Sequence, residues 1–466
     1  MPSRTILFLQ GPPWFFAADL AREVERRGAR ALRINLCIGD RIYWPRRGAV
    51  NFRGRLSGWE AFLRAFVERE GVTDIVYYAD RLPYHVIAAR VAKSLGINAI
   101  AYEFGYLRPD WVTLERDGLS AYSRFPEDPA RIRAIAEGMP APDMTARYPL
   151  PHALEATGEV IFNLANFFLR PLYPFYRPDR LYNPVLEYLR HIPRLLAGSG
   201  PSRRADRVLD ELLAAKTTYF LMPLQLEADY QLRANSPFAG QVEAIEQVIA
   251  SFAAQAPAGS VLLMKQHPLD AGIERWDREI ARAAAAAGVA GRVRFINGGD
   301  LTRQLAAAAG VVLINSTVGV HAVIAGAPVK VLGVAVYDIE GLTFRGDLDA
   351  FWGAPTPPDP TLVDAFVRAL AGTIQMKGNF YTKAGRTAAA AAMAERIVAG
   401  TVNEPGAWLP EAPRVARLRR LGIVPPDALG LQPKRRFKAT PSGSHPPPAP
   451  PGEEAARKAR SAGAGD

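Results

Sequence analysis

The sequence predicts an α/β protein made of two Rossmann-like, doubly wound domains facing each other across a cleft. Three observations lead to that class. Short continuous apolar runs recur in both halves, as expected of strands buried on both faces. Stretches with helical apolar spacing lie between them, and this alternation argues for parallel sheets. The length of 466 residues, 49% hydrophobic and 22% charged, suits two globular domains of ordinary size.

In the first half, apolar runs at residues 5–9, 31–36, 74–78 and 98–102 alternate with helical patterns at 17–27, 59–70 and 84–95. They define a first domain over residues 1–139. Each run ends in polar or glycine-rich residues: Gln10-Gly11-Pro12, Gly39-Asp40, Asp80-Arg81, and Glu103 leading on to Arg108-Pro109. Ligands of parallel α/β sheets bind outside the carboxyl ends of the strands. Glu103 and Arg108 are therefore candidates for the centre of the cleft, with Asp40, Asp80, Arg81 and His85 along its edge. No GxGxxG follows a strand, so a dinucleotide site has little support.

Residues 140–216 change character, to long apolar and basic helices rich in proline and aromatics, such as VIFNLANFFLRPLYPFYRPDRLY. They read as a connecting segment packed between domains, with a membrane-surface face as the alternative. From 217 to 400 the alternation restarts. Strands are expected at 217–225, 260–264, 293–296, 311–314 and 329–332, and helices at 241–254, 276–287 and 301–309. Two such domains across a cleft make the GT-B architecture of glycosyltransferases and some epimerases. Residues 401–466 read as a basic, proline-rich tail, disordered from about 433.

The charge belongs mostly to that tail. Eleven Lys/Arg against four acids from Pro413 onward account for +7 of the formal +11, so nucleic-acid binding by the folded part is not implied. The single cysteine, Cys37, rules out an internal disulfide and reads as a buried structural thiol. The opening MPSRTILFLQGPP has too few apolar residues for a signal-peptide core or a membrane span, which suggests a cytoplasmic protein.

The densest chemistry lies at 261–343. The run VLLM hands Lys265, Gln266 and His267 to its carboxyl end, and the run VVLI opens into Asn315-Ser316-Thr317 before a helical pattern. A Ser/Thr pair at a helix start caps orphan N–H groups and leaves others facing outward, the geometry of an anion site. Lys265, His267, Asn315, Ser316 and Thr317 are thus candidates for holding a phosphate. Gln225, Asp229 and Gln231, after the first strand of this half, are candidate cleft residues.

Several phrases together resemble the capsule polysaccharide biosynthesis and export family of the KpsS/LipB type. They are FLQGP, NFRGR, YEFGYLRPDWVTLER, MPLQLEADYQLRANSPF, KQHP, INSTVG and VKVLGVAVYDIEGLT, in family order over about residues 5 to 400. The resemblance implies a cytoplasmic GT-B enzyme, at most peripheral on the inner membrane face and working with a capsule assembly or export complex. It would move β-linked Kdo from CMP-Kdo to a phospholipid-linked acceptor by a retaining route, with no cofactor and no metal. KQHP resembles the HP motif of CMP-sugar transferases, which gives His267 the donor phosphate. Glu103 resembles the first of an acidic pair in such enzymes and is the candidate catalytic carboxylate, as nucleophile or base; Phe104 stands where the second acid would be. Arg108 suits the Kdo carboxylate, or an ion pair with Glu103. Position 321 carries His where many GT-B proteins place a ribose-binding Glu, which speaks against a UDP-sugar. A UDP-sugar transferase or 2-epimerase on the same fold, and a non-catalytic export or scaffold protein, stay open as alternatives.

Overall fold

A computed structural model describes residues 4–196 and 198–423, which fall within one compact unit. The strands are β1 (Thr5–Phe8), β2 (Arg30–Asn35), β3 (Val50–Asn51), β4 (Asp74–Tyr78), β5 (Asn98–Phe104), β6 (Trp111–Arg116), β7 (Tyr219–Pro223), β8 (Val261–Gln266), β9 (Val293–Asn297), β10 (Gly310–Leu313), β11 (Val329–Val331) and β12 (Gln375–Lys377). They form two sheets, ordered β12-β6-β5-β4-β1-β2-β3 and β11-β10-β7-β8-β9. From β3 to β5 the first sheet is parallel, and the second is parallel throughout. The interior strands are buried on both faces, which is why they read as unbroken apolar runs. Helices fill the connections, and those at Trp59–Glu70 and Pro83–Leu95 both stop at a left-handed glycine, Gly71 and Gly96. This is the two-domain GT-B arrangement expected from the alternation.

Two segments differ from the expected boundaries. β6 runs antiparallel to β5, and β12 pairs antiparallel with β6 in the first sheet. The helix Lys383–Ala399 follows β12 and packs on Phe16–Arg26, burying Met393 and Ile397 in the core of the first domain. Residues 375–399, expected within the second half, thus belong structurally to the first.

Residues 401–423 are also not a loose tail. Arg414 is buried, and its guanidinium donates to the carbonyls of Phe125 (2.7 Å), Pro126 (3.2 Å), Ala335 (3.2 Å) and Val336 (2.6 Å). One side chain thereby ties a first-domain loop to the strand-edge loop of the second. Arg414→Met would leave four buried carbonyls without that donor, and a loss of about 3 kcal/mol is expected, read as a lower thermal midpoint. The proline-rich stretch from 433 onward lies outside the described residues.

Candidate functional site

The carboxyl ends of the two sheets meet at Glu103. This residue sits near the end of β5, and its Oε2 accepts a 2.6 Å hydrogen bond from Tyr230 Oη. Tyr230 opens the short helix Tyr230–Asn235, carried by the loop after β7. Gln231 Nε2 donates to the same phenol oxygen at 2.8 Å, so a chain of polar groups crosses from one domain to the other. Burial pushes the Glu103 carboxyl up to about 8. The Tyr230 hydrogen bond pulls it down, Asp80 and Asp229 raise it, and Arg108 lowers it. A carboxyl group near 8 is a stronger base and nucleophile when ionised than an ordinary glutamate.

Arg108 follows in the same loop. Its guanidinium lies 5.1 Å from the centre of the Phe104 ring, and among the described residues it forms no ion pair with Glu103. Burial lowers its pKa, while the nearby Glu155 and Glu103 raise it. From the second domain, His321 on helix Val318–Ile324 comes within electrostatic reach of Arg108. Burial and then that cation hold the imidazole down at about 4, so the ring is neutral at ordinary pH.

The second-domain candidates divide by what their side chains already bond. His267, half-buried at the end of β8, accepts the backbone N–H of Leu269 at Nδ1 (3.1 Å), which leaves the ring proton on Nε2. Lys265 is buried with its ammonium on the carbonyls of Gly298 and Gly299 (3.2 Å to the latter), and burial lowers it to about 8. Asn315 donates to the carbonyls of Gln231 (2.9 Å) and Asn235 (3.2 Å), and its Oδ1 accepts from Gln225 Nε2 at 2.9 Å. Asn315 and Gln225 therefore lock the end of β10 to the loop that carries Tyr230. Ser316 Oγ accepts the Val318 N–H at 3.3 Å as a local cap, and Thr317 makes no such cap. Asp229 caps the Tyr230 helix by accepting the Gln231 N–H at 2.8 Å, and burial raises its pKa.

The first-domain candidates lie deeper than their sequence positions suggested. Asp40 is buried against Arg33 (2.9 Å) and accepts the Leu36 N–H. Burial raises its pKa and Arg33 lowers it. Asp80 accepts from Arg81 (3.0 Å) and from the Leu119 N–H (2.9 Å), while Arg81 stacks on Tyr122 at 3.8 Å. His85 is fully buried, stacked on Tyr77 with Nδ1 against the Ala79 carbonyl (2.8 Å), and burial holds it near 4. These four are engaged within the first domain, and of them Asp80 reaches Glu103 through its charge.

The connecting segment supplies groups that sequence reading passed over. Tyr173 bonds Asn51 (2.7 Å) and Tyr176 bonds Gln10 (3.2 Å), both at strand ends of the first sheet. Asp179 pairs with Arg233, and Tyr182 donates to Glu274, both in the second domain. The segment therefore runs along the cleft from one sheet edge to the other. The phrase FYRPDRLY was the available signal, read as packing because aromatics and arginines serve both uses.

A family model described as capsule polysaccharide biosynthesis protein matches residues 73–381. The capsule polysaccharide export protein KpsS of Escherichia coli is 32% identical over 386 residues, covering 82% of this chain and 98% of that protein. The capsule polysaccharide modification protein LipB of Neisseria meningitidis serogroup A is 31% identical over 399 residues, covering 82% and 92%. Among solved structures, the β-Kdo 2,7 transferase of Thermosulfurimonas dismutans KpsC is matched at TM-score 0.42 and 14% identity over 84% of this chain and 99% of that one. With a family match over more than half its length and a relative this similar along nearly all of its own, the chain belongs to the capsule polysaccharide biosynthesis family.

Proposed function

We propose that the protein is a glycosyltransferase of capsule assembly that moves Kdo from CMP-Kdo to a lipid-linked acceptor, with retention and without a metal. The observation that carries this reading is Glu103: a carboxyl group raised to about 8 at the cleft end of a buried strand, held by a tyrosine from the opposite domain. Glu103 acts at the anomeric carbon. Arg108, which pairs with no carboxylate among the described residues and lies beside Glu103, receives the carboxylate of the sugar. His267 donates from Nε2 to the phosphate of the departing CMP, where negative charge grows in the transition state. The family membership supports a role in capsule synthesis.

The test is purified protein with CMP-Kdo and a phosphatidylglycerol-based acceptor, with CMP release and product mass as readouts. Thermal stabilisation by UDP and not by CMP would instead favour a UDP-sugar transferase or epimerase. Neither stabilisation nor turnover, with intact lipid-glycan binding, would favour an export or scaffold role.

Tyr230→Phe separates a tuned carboxyl group from a passive one. The lost hydrogen bond is one that lowers the Glu103 pKa, so the carboxyl rises further. The ascending limb of the pH–rate profile should move up by about one unit, with a roughly tenfold loss at pH 7 that recovers in alkali. A uniform loss at every pH would show that the phenol serves only to position Glu103.

A further inference from the structure

The connecting segment carries a surface that the cleft does not use. At the end of helix His152–Phe168 and in the turn after it, five large apolar side chains stand in solvent: Phe167 (42% exposed), Phe168 (65%), Leu169 (45%), Leu172 (46%) and Phe175 (40%). Sequence reading expected this stretch to pack between domains, with a membrane-surface face as the alternative. It does so through Gly158, Phe162, Asn163, Asn166, Tyr173 and Tyr176, while the opposite face is left open.

The ring of charge around the patch has one sign. Arg170 and Arg177 are exposed within the segment, and residues 160–178 contain no Asp or Glu. From the first domain, Arg55 lies 4.4 Å from the centre of the Phe175 ring and Arg53 5.6 Å from that of Tyr173. Residues 41–58 are likewise free of acids, and exposed Ile42 extends the apolar face from the helix that packs beside His152–Phe168.

We propose that this face docks on an anionic lipid bilayer, with the phenylalanines and leucines at the acyl boundary and the arginines at headgroup phosphates. Exposed aromatic and aliphatic residues ringed by arginine, with no acid among them, fit an interface that is apolar below and negatively charged around. A protein partner of ordinary composition would meet a rim of unmatched positive charge. The position adds a second reason. Tyr176, next to exposed Phe175, bonds Gln10 at the end of β1, so the docked face lies beside the carboxyl edge of the first sheet. A lipid-borne molecule would enter there without leaving the membrane. The surface stands apart from the donor assignment, and its test does not depend on CMP-Kdo.

The test is flotation of the full-length chain with vesicles of phosphatidylcholine alone or mixed with phosphatidylglycerol. The double variant Phe168→Asp/Leu172→Asp is compared with the parent, and basic residues beyond 423 contribute equally to both. The parent should bind the mixed vesicles, and the variant should bind at least about tenfold more weakly with an unchanged melting temperature. Arg53→Ser/Arg55→Ser should weaken binding to the mixed vesicles at low salt and leave the residual affinity for phosphatidylcholine unchanged. Equal binding by parent and Phe168→Asp/Leu172→Asp would overturn the proposal. So would a parent dimer that this variant splits while neither protein binds vesicles, since the face would then belong to a second copy.

Discussion

Glu103→Gln is expected to abolish transfer, lowering turnover by about a thousandfold or more, while making the protein more resistant to heat in alkali. Gln keeps the volume and can still accept from Tyr230, so the cleft should keep its shape. The stability effect has a definite sign. In the folded state the carboxyl group titrates near 8, against 4.5 for an ordinary glutamate. Between those values the folded protein binds more protons than the unfolded chain, so the parent loses stability as pH rises through that window. The variant has no such group. Melting temperatures of the two should coincide near pH 4 and separate in favour of Glu103→Gln by pH 8. For the parent, the rate should climb with pH towards 8, because the ionised form attacks. A variant with near-normal turnover would move the search for the reacting carboxylate to Glu155, Asp229 and Asp80. A variant that melts lower than the parent would make Glu103 a structural partner of Tyr230.

His267→Ala should cost the donor half of the reaction about 2–4 kcal/mol of transition-state stabilisation, a thirty- to a thousandfold loss in CMP release. The fold should survive, because the side chain is half-exposed in the loop that follows β8. Binding of CMP, followed by calorimetry, should weaken far less than turnover, since the group meets charge that develops as the bond breaks. Unchanged CMP release from a folded His267→Ala protein would remove the phosphate role.

The interior strands were legible because burial on both faces leaves them no polar positions. Two strands of the first sheet were not: β12 is the three residues Gln-Met-Lys, and β6, WVTLER, was assigned no element. Glu103 could be found from its place after a strand, but Tyr230 lies 127 residues away and bears no local mark of its bond. Asn315 and Lys265 show the limit from the other side. Their donors suit a phosphate or a backbone carbonyl equally, and only tertiary structure decides between them. Asp40 and His85, expected at strand ends, lie instead on the helices that follow β2 and β4, and their side chains turn inward, which alternation along a strand does not reveal beyond its last residue.

The return of β12 to the first sheet also sets an order on synthesis. The second sheet, β7 to β11, is continuous in the chain, whereas the first awaits a strand and a helix made after it. At roughly 5–20 residues per second, tens of seconds separate the emergence of β6 from that of β12. During that interval the edge of β6 is unpaired and the apolar face of Phe16–Arg26 lacks its cover. The nascent first half is therefore the part in need of shelter, and a chain arrested before Gln375 should be cut by protease there sooner than in the second half.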